Sequence, residues 1–180
     1  MTGFRTASRR TVHRGRKFDL EVLRLVRTSA PRRPALTREV VRHPGAVVVL
    51  PILDDRRIVL VRVWRITLAR WSLELPAGTL EPAERPIRCA ARELIEETGF
   101  RAATLTPIAR FHTSPGMSDE LMRAFVARGL TPVGQRPEED ELIAPRIRTI
   151  DDVLRLIDRG QIHDAKSIAA VLLAERQGFF

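Results

Sequence analysis

A chain of 180 residues has room for one globular domain with a substantial core, and 44% hydrophobic with 29% charged residues is the balance of a soluble protein. The longest apolar run, residues 46–53, is too short to cross a bilayer, and the single cysteine, Cys89, excludes an intramolecular disulfide and fits a reducing, cytoplasmic setting. The net charge of +9 is carried almost wholly by arginine, with Lys17 and Lys166 the only lysines.

The basic charge is densest at the start, where Arg5, Arg9, Arg10, Arg14, Arg16 and Lys17 crowd residues 1–17. Aromatic residues are not interleaved among them, apart from Phe4 and Phe18, so a base-stacking surface is not indicated and nucleic acid is not the expected partner. This arm is expected to be flexible. It also lacks an apolar core segment, which reads against a secretory signal. Residues 18–26 alternate apolar and charged side chains and predict a first strand. A proline-bearing turn at 29–34 separates it from a half-exposed strand at 37–43, which Pro44-Gly45 ends.

Residues 46–53 are β-branched and almost wholly apolar, as a buried strand requires, and 58–64 is expected to return beside it after the Asp54–Arg57 turn. A short strand at 71–75 leads into a Pro76-Ala77-Gly78 loop. Further strands are predicted at 103–111 and 121–127, flanking a Ser114-Pro115-Gly116 turn. A polar loop at 134–141 and a strand at 142–150 follow, and helices over 150–159 and 165–176 close the chain. Asp151 and Asp152 suit the start of the first of these helices. The pattern is a mixed sheet with helices on its faces.

One stretch organises the rest: Gly78–Phe100, GTLEPAERPIRCAARELIEETGF. Good helix formers run from Pro86 to Thr98, and proline is tolerated in a first turn. At about 100° per residue, Ile87, Ala90, Ala91, Leu94 and Ile95 share one apolar arc. Glu93 and Glu97 stack one turn apart at its edge, and Glu96 points further round to solvent. Two such like charges repel, and a divalent cation between them removes that cost, with Mg²⁺ or Mn²⁺ suited to hard oxygen ligands. Cys89 sits within the helix as a packing residue rather than a reactive thiol.

These residues match the signature of the Nudix hydrolases at Gly78, Glu84, Arg92, Glu93, Leu94, Glu96, Glu97, Gly99 and Phe100. The resemblance implies an α/β/α sandwich with a mixed β-sheet, here carrying an N-terminal β-strand extension. It divides the chain into the basic arm 1–17, N-terminal strands 18–45 and a Nudix domain 46–180. It implies Glu93, Glu97 and the Ala77 carbonyl as metal ligands, with Glu96 ligating or supporting them and also standing as a catalytic candidate. It makes Glu84 and Arg92 a structural pair beside the motif glycines Gly78 and Gly99.

The flanks resemble one Nudix subfamily, the ADP-ribose pyrophosphatases. Pro115 lies 16 residues past Gly99, the spacing at which that subfamily carries a proline, and Gly116 follows it. Residues 43–48, 73–78 and 164–169 also resemble it. The implied reaction is metal-dependent hydrolysis of ADP-ribose to AMP and ribose 5-phosphate. The alternatives are another nucleoside diphosphate sugar, or a basic nucleic-acid-binding or regulatory protein on the same fold. In this subfamily the general base often comes from a distant loop, which makes Glu141 the first candidate and Glu139 the second, within the acidic run 138–141. Arg65 resembles the arginine that contacts a substrate phosphate, and Arg38 is placed at the adenosine end. Phe18 and Trp64 are read either as adenine-stacking rings or as buried packing. The resemblance also implies a homodimer in which residues 18–45 are exchanged.

Overall fold

The computed structural model describes residues 3–139 and 141–180. They fall into two units, Met1–Gly45 with His112–Leu121, and Ala46–Phe111 with Met122–Phe180.

In the first unit, β1 (Phe4–Arg14), β2 (Asp19–Arg27) and β3 (Leu36–Arg42) form an antiparallel sheet in that order. Strand β1 departs from the expected loose arm. Its hairpin with β2 is pinned at the far end, where Thr28 Oγ1 accepts from Gly3 N at 2.9 Å and Thr28 N donates to Gly3 O at 3.0 Å. The Arg27 guanidinium lies 5.3 Å from the Phe4 ring centroid, and Arg9 pairs with the buried Glu21 at 3.4 Å. The arginines that suggested a solvated tail are therefore the outward faces of a strand. Segment 112–121 joins this unit by backbone, with Val41 N donating to Met117 O at 2.8 Å.

The second unit holds two sheets. One runs β7 (Ala77–Thr79), β4 (Ala46–Pro51), β9 (Leu121–Pro132) and β8 (Phe100–His112). The other runs β10 (Ile143–Thr149), β5 (Arg57–Arg65) and β6 (Arg70–Glu74). The helices are α1 (Pro86–Thr98), α2 (Ile150–Asp158) and α3 (Ala165–Arg176). Strands β4 and β5 do not pair along their lengths as expected and meet where the turn joins them, at the Ile52–Ile58 bridge and the 2.8 Å hydrogen bond from Leu53 N to Arg57 O. Both are buried central strands, and each needs partners on both edges. Strand β4 pairs antiparallel with β7 and parallel with β9, while β5 lies between β10 and β6. Residues 77 and 78, expected in a loop, belong to strand β7 for the same reason.

Strand β4 alternates between two cores. Ala46, Val48 and Leu50 face Val153 of α2 and Ala170 and Val171 of α3. Val47 and Val49 face Cys89, Ala90 and Leu94 of α1. The second unit is thus layered α/β/α, and α1 is fixed against the sheet that carries β7.

Candidate active site

The buried stripe of α1 includes Cys89, Ala90, Glu93, Leu94 and Glu97, whereas Ile87 is 42% exposed. The two glutamates therefore lie inside the stripe rather than at its margin. Glu97 Oε2 accepts from Ala77 N at 2.9 Å, and Glu93 Oε1 accepts from Arg92 Nη1 at 2.7 Å. A Cβ on Gly78 would lie 1.8 Å from Glu93 Oε1, so only glycine lets β7 approach the carboxylate. Burial pushes Glu93 up to about 7, against the pull of Arg92, and Glu96 and Glu141 add to the rise. Burial likewise pushes Glu97 up to about 8, opposed by the Ala77 N–H and reinforced by Glu93 and Glu141.

Arg92 gathers the other acids. Its Nε and Nη2 each donate at 3.0 Å to the two oxygens of Glu84, and its Nη1 also reaches Glu96 at 2.9 Å. The Arg92 hydrogen bonds hold Glu84 at about 2, and Glu84 in turn accepts from Glu81 N at 3.0 Å. The loop before α1 is clamped to the helix by this arrangement.

The chain after β9 is tied to the C-terminal end of α1, whose last carbonyls lack intrahelical partners. Gln135 Nε2 donates to Glu97 O at 2.8 Å, Arg136 N donates to Glu96 O at 3.1 Å, and Val133 N donates to Gly99 O at 2.8 Å. Gly99 takes φ 76°, and a Cβ there would meet Gln135 N at 2.7 Å. This anchorage brings Glu141 close enough for its charge to act on both Glu93 and Glu97. Glu141 Oε2 accepts from Glu138 N at 3.2 Å, while Glu139 is exposed. Asp140, the remaining acid of the run, lies outside the described residues.

Arg65, at the end of β5, is held in a fork by Glu74 of β6, with Nε to Oε1 at 2.8 Å and Nη2 to Oε2 at 2.6 Å. Glu74 is 3% exposed and also accepts from Lys166 Nζ at 2.6 Å. Lys166 donates in addition to Asp164, which caps α3 by accepting from Ser167 N at 3.0 Å. Ser167 Oγ accepts from Leu75 N at 2.7 Å. The Glu97 charge also acts on Arg65, which places this cluster beside the α1 acids.

Residues 42–171 match the NUDIX domain. The chain belongs to the Nudix family. It is 38% identical to an ADP-ribose pyrophosphatase of Bacillus subtilis over 169 residues, spanning 93% of this chain and 90% of that protein. It is 40% identical to an ADP-ribose pyrophosphatase of Mycobacterium tuberculosis over 173 residues, spanning 94% and 82%. A solved structure described as an ADP compounds hydrolase superposes with a TM-score of 0.80 at 24% identity, covering 98% of this chain and 97% of its own, and is a likeness of fold.

Nudix hydrolases generally need a divalent metal, and the donor set of this Nudix domain suits one. Glu93 and Glu97 offer hard oxygens beside β7, and one oxygen of each accepts no hydrogen bond among the described residues. No group of three His, Cys, Asp or Glu among the described residues closes into a preformed cage, and Arg92 instead holds Glu93 and Glu96. Among the residues expected at the site, Arg38, Pro115 and Gly116 belong to the other unit. Arg38 is exposed and donates to Thr37 O at 2.8 Å, and the Pro115 turn closes with Ser118 N on Ser114 O at 2.9 Å. Phe18 is 46% and Trp64 37% exposed, so neither is buried packing. Cys89 is fully buried, and burial first, with Glu84 and Glu93 adding, pushes its thiol up to about 12. Sequence reasoning missed Gln135 and the Glu74–Lys166 pair. Residues 73–78 and 164–169 carried the signal for that pair, as separate stretches.

Proposed function

We propose that this Nudix protein is a hydrolase that cleaves the pyrophosphate of ADP-ribose to AMP and ribose 5-phosphate, with Mg²⁺ as its cation and Mn²⁺ able to replace it. The observation that carries the reaction is the pair of buried glutamates, Glu93 and Glu97, held against β7 with the Glu141 charge acting on both. Likeness to the two ADP-ribose pyrophosphatases over more than nine-tenths of this chain supports the substrate.

Glu93, Glu97 and the Ala77 carbonyl would hold the cation, with Glu96 ligating it or supporting them from the same helix. A bound cation would supply charge to offset the pyrophosphate oxygens and to lower the pKa of a water. Glu141 takes the proton from the attacking water, with Glu139 the reserve in that role. Arg65 holds a substrate phosphate by charge-assisted hydrogen bonds. Glu84 and Arg92 keep the loop and helix in register. Arg38, Pro115 and Gly116 are assigned to substrate selection on the resemblance to the subfamily. The same resemblance supports a homodimer in which 18–45 is exchanged and 46–180 carries the chemistry, and the single cysteine supports a reducing, cytoplasmic setting. No helix among the described residues is long and apolar enough to cross a membrane.

The test is product release from ADP-ribose, ADP-glucose, GDP-mannose, NADH and diadenosine polyphosphates with Mg²⁺, Mn²⁺ or EDTA. Metal-dependent preference for ADP-ribose is expected. Preference for another compound overturns the substrate and keeps the reaction, while no turnover of any overturns both.

A further inference from the structure

Glu74 is buried deeply enough that an unpaired charge there would be costly, and it serves two cations at once. Its Oε2 is shared at 2.6 Å by Arg65 Nη2 and Lys166 Nζ. The Arg65 side chain is 39% exposed, and its Nη1 finds no acceptor among the described residues. Lys166 is itself fixed, since Asp164 holds it at 2.8 Å from the N-cap of α3. Without Lys166, Arg65 would be the sole counter-ion of a buried carboxylate. Any lean of its guanidinium towards another anion would then strip Glu74 of its partner.

We propose that Lys166 is a positioning residue that neutralises Glu74 and so leaves Arg65 available to an anionic phosphate of the substrate. The nucleoside diphosphate is felt at Lys166 only through Glu74 and Arg65. This inference rests on the proposed hydrolysis and adds a residue 92 positions away from the carboxylate it serves. The same α3 turn also fixes, through Ser167 and Leu75 N, the chain that leads to Ala77.

The decisive variants are Lys166→Gln, Lys166→Arg, Glu74→Gln and the double variant Glu74→Gln/Lys166→Gln. They are assayed on whichever nucleotide sugar the wild type turns over, so failure of ADP-ribose as substrate leaves the test intact. Affinity for ADP-ribose in EDTA, read by calorimetry, gives a second measure that needs no turnover. Lys166→Gln is expected to raise KM about tenfold, the scale of one charge-assisted hydrogen bond, with kcat and the Mg²⁺ midpoint within about twofold. Lys166→Arg is expected to stay near wild type. Adding Glu74→Gln to Lys166→Gln is expected to restore most of the KM, because Arg65 is then no longer claimed by a charged carboxylate. Accumulating damage in the double variant, or an unchanged KM in Lys166→Gln, overturns the proposal. If Lys166→Gln does not fold, the double variant is compared with Glu74→Gln alone. Equal KM supports action through Glu74, and a further rise overturns it. A wild type that neither binds nor hydrolyses any of these compounds overturns both the proposal and the function beneath it.

Discussion

Two acid-rich stretches of the second unit, helix α1 and the loop before β10, are built in opposite ways. On α1, Glu93 and Glu97 are 8% and 5% exposed, and Arg92 or the Ala77 N–H holds one oxygen of each. In the loop, Glu138 and Glu139 are exposed, and Glu141 takes a backbone N–H from its own turn. The loop is held by Gln135 and Arg136 upstream of the acids. The difference assigns different work. Carboxylates fixed in a buried stripe suit a cation, whose charge offsets their cost. A carboxylate on a turn within electrostatic range suits proton transfer.

Changes to the helix acids should cut deepest. Glu97→Gln is expected to lower kcat about a thousandfold, the scale of several kcal/mol of lost charge stabilisation, while the circular dichroism spectrum is unchanged. In the loop, Glu141→Gln should lower kcat about a hundredfold at nearly constant KM, as loss of a general base does. Glu139→Gln should fall within about twofold. If Glu139 proves the damaging position, the loop is right and the chosen base wrong.

Gly78→Ala sharpens the contrast from the backbone side. Its Cβ would lie 1.8 to 2.5 Å from the Glu93 carboxyl atoms, so that carboxylate must move. A fall in kcat/KM of about tenfold, with a higher Mg²⁺ requirement, is expected. At Glu74 the contrast is read as stability rather than rate. Burial pushes its carboxyl up, but the Arg65 hydrogen bonds and the Lys166 charge outweigh this and hold it at about 2, against 4.5 for a free glutamate. A depressed folded pKa contributes stability above pH 4.5 that is lost as pH falls towards 2. Melting temperatures between pH 6 and 2.5 should therefore drop less steeply in Glu74→Gln than in the wild type.

The helix was legible because a 3.6-residue period, a first-turn proline and a closing glycine all act locally. Its bounds, and the contact between Glu84 and Arg92, lie within one short stretch. The pairing of β4 and β5 was not legible, because uniformly apolar strands carry no alternation to fix an edge or a partner. Strand β1 hid behind its arginines, since exposure on both faces mimics a solvated tail. The Glu74–Lys166 pair joins β6 to α3, and Gln135 looks like any polar loop residue until the α1 carbonyl it caps is in view. Non-local closure, not local propensity, made these contacts.

The most direct measurement is an Mg²⁺ titration of ADP-ribose hydrolysis for the wild type, Glu97→Gln and Glu141→Gln. Glu97→Gln is expected to shift the midpoint upward or abolish activity, while Glu141→Gln keeps the wild-type midpoint and lowers the plateau. A wild-type midpoint in Glu97→Gln, or a shifted one in Glu141→Gln, would contradict the division between helix and loop.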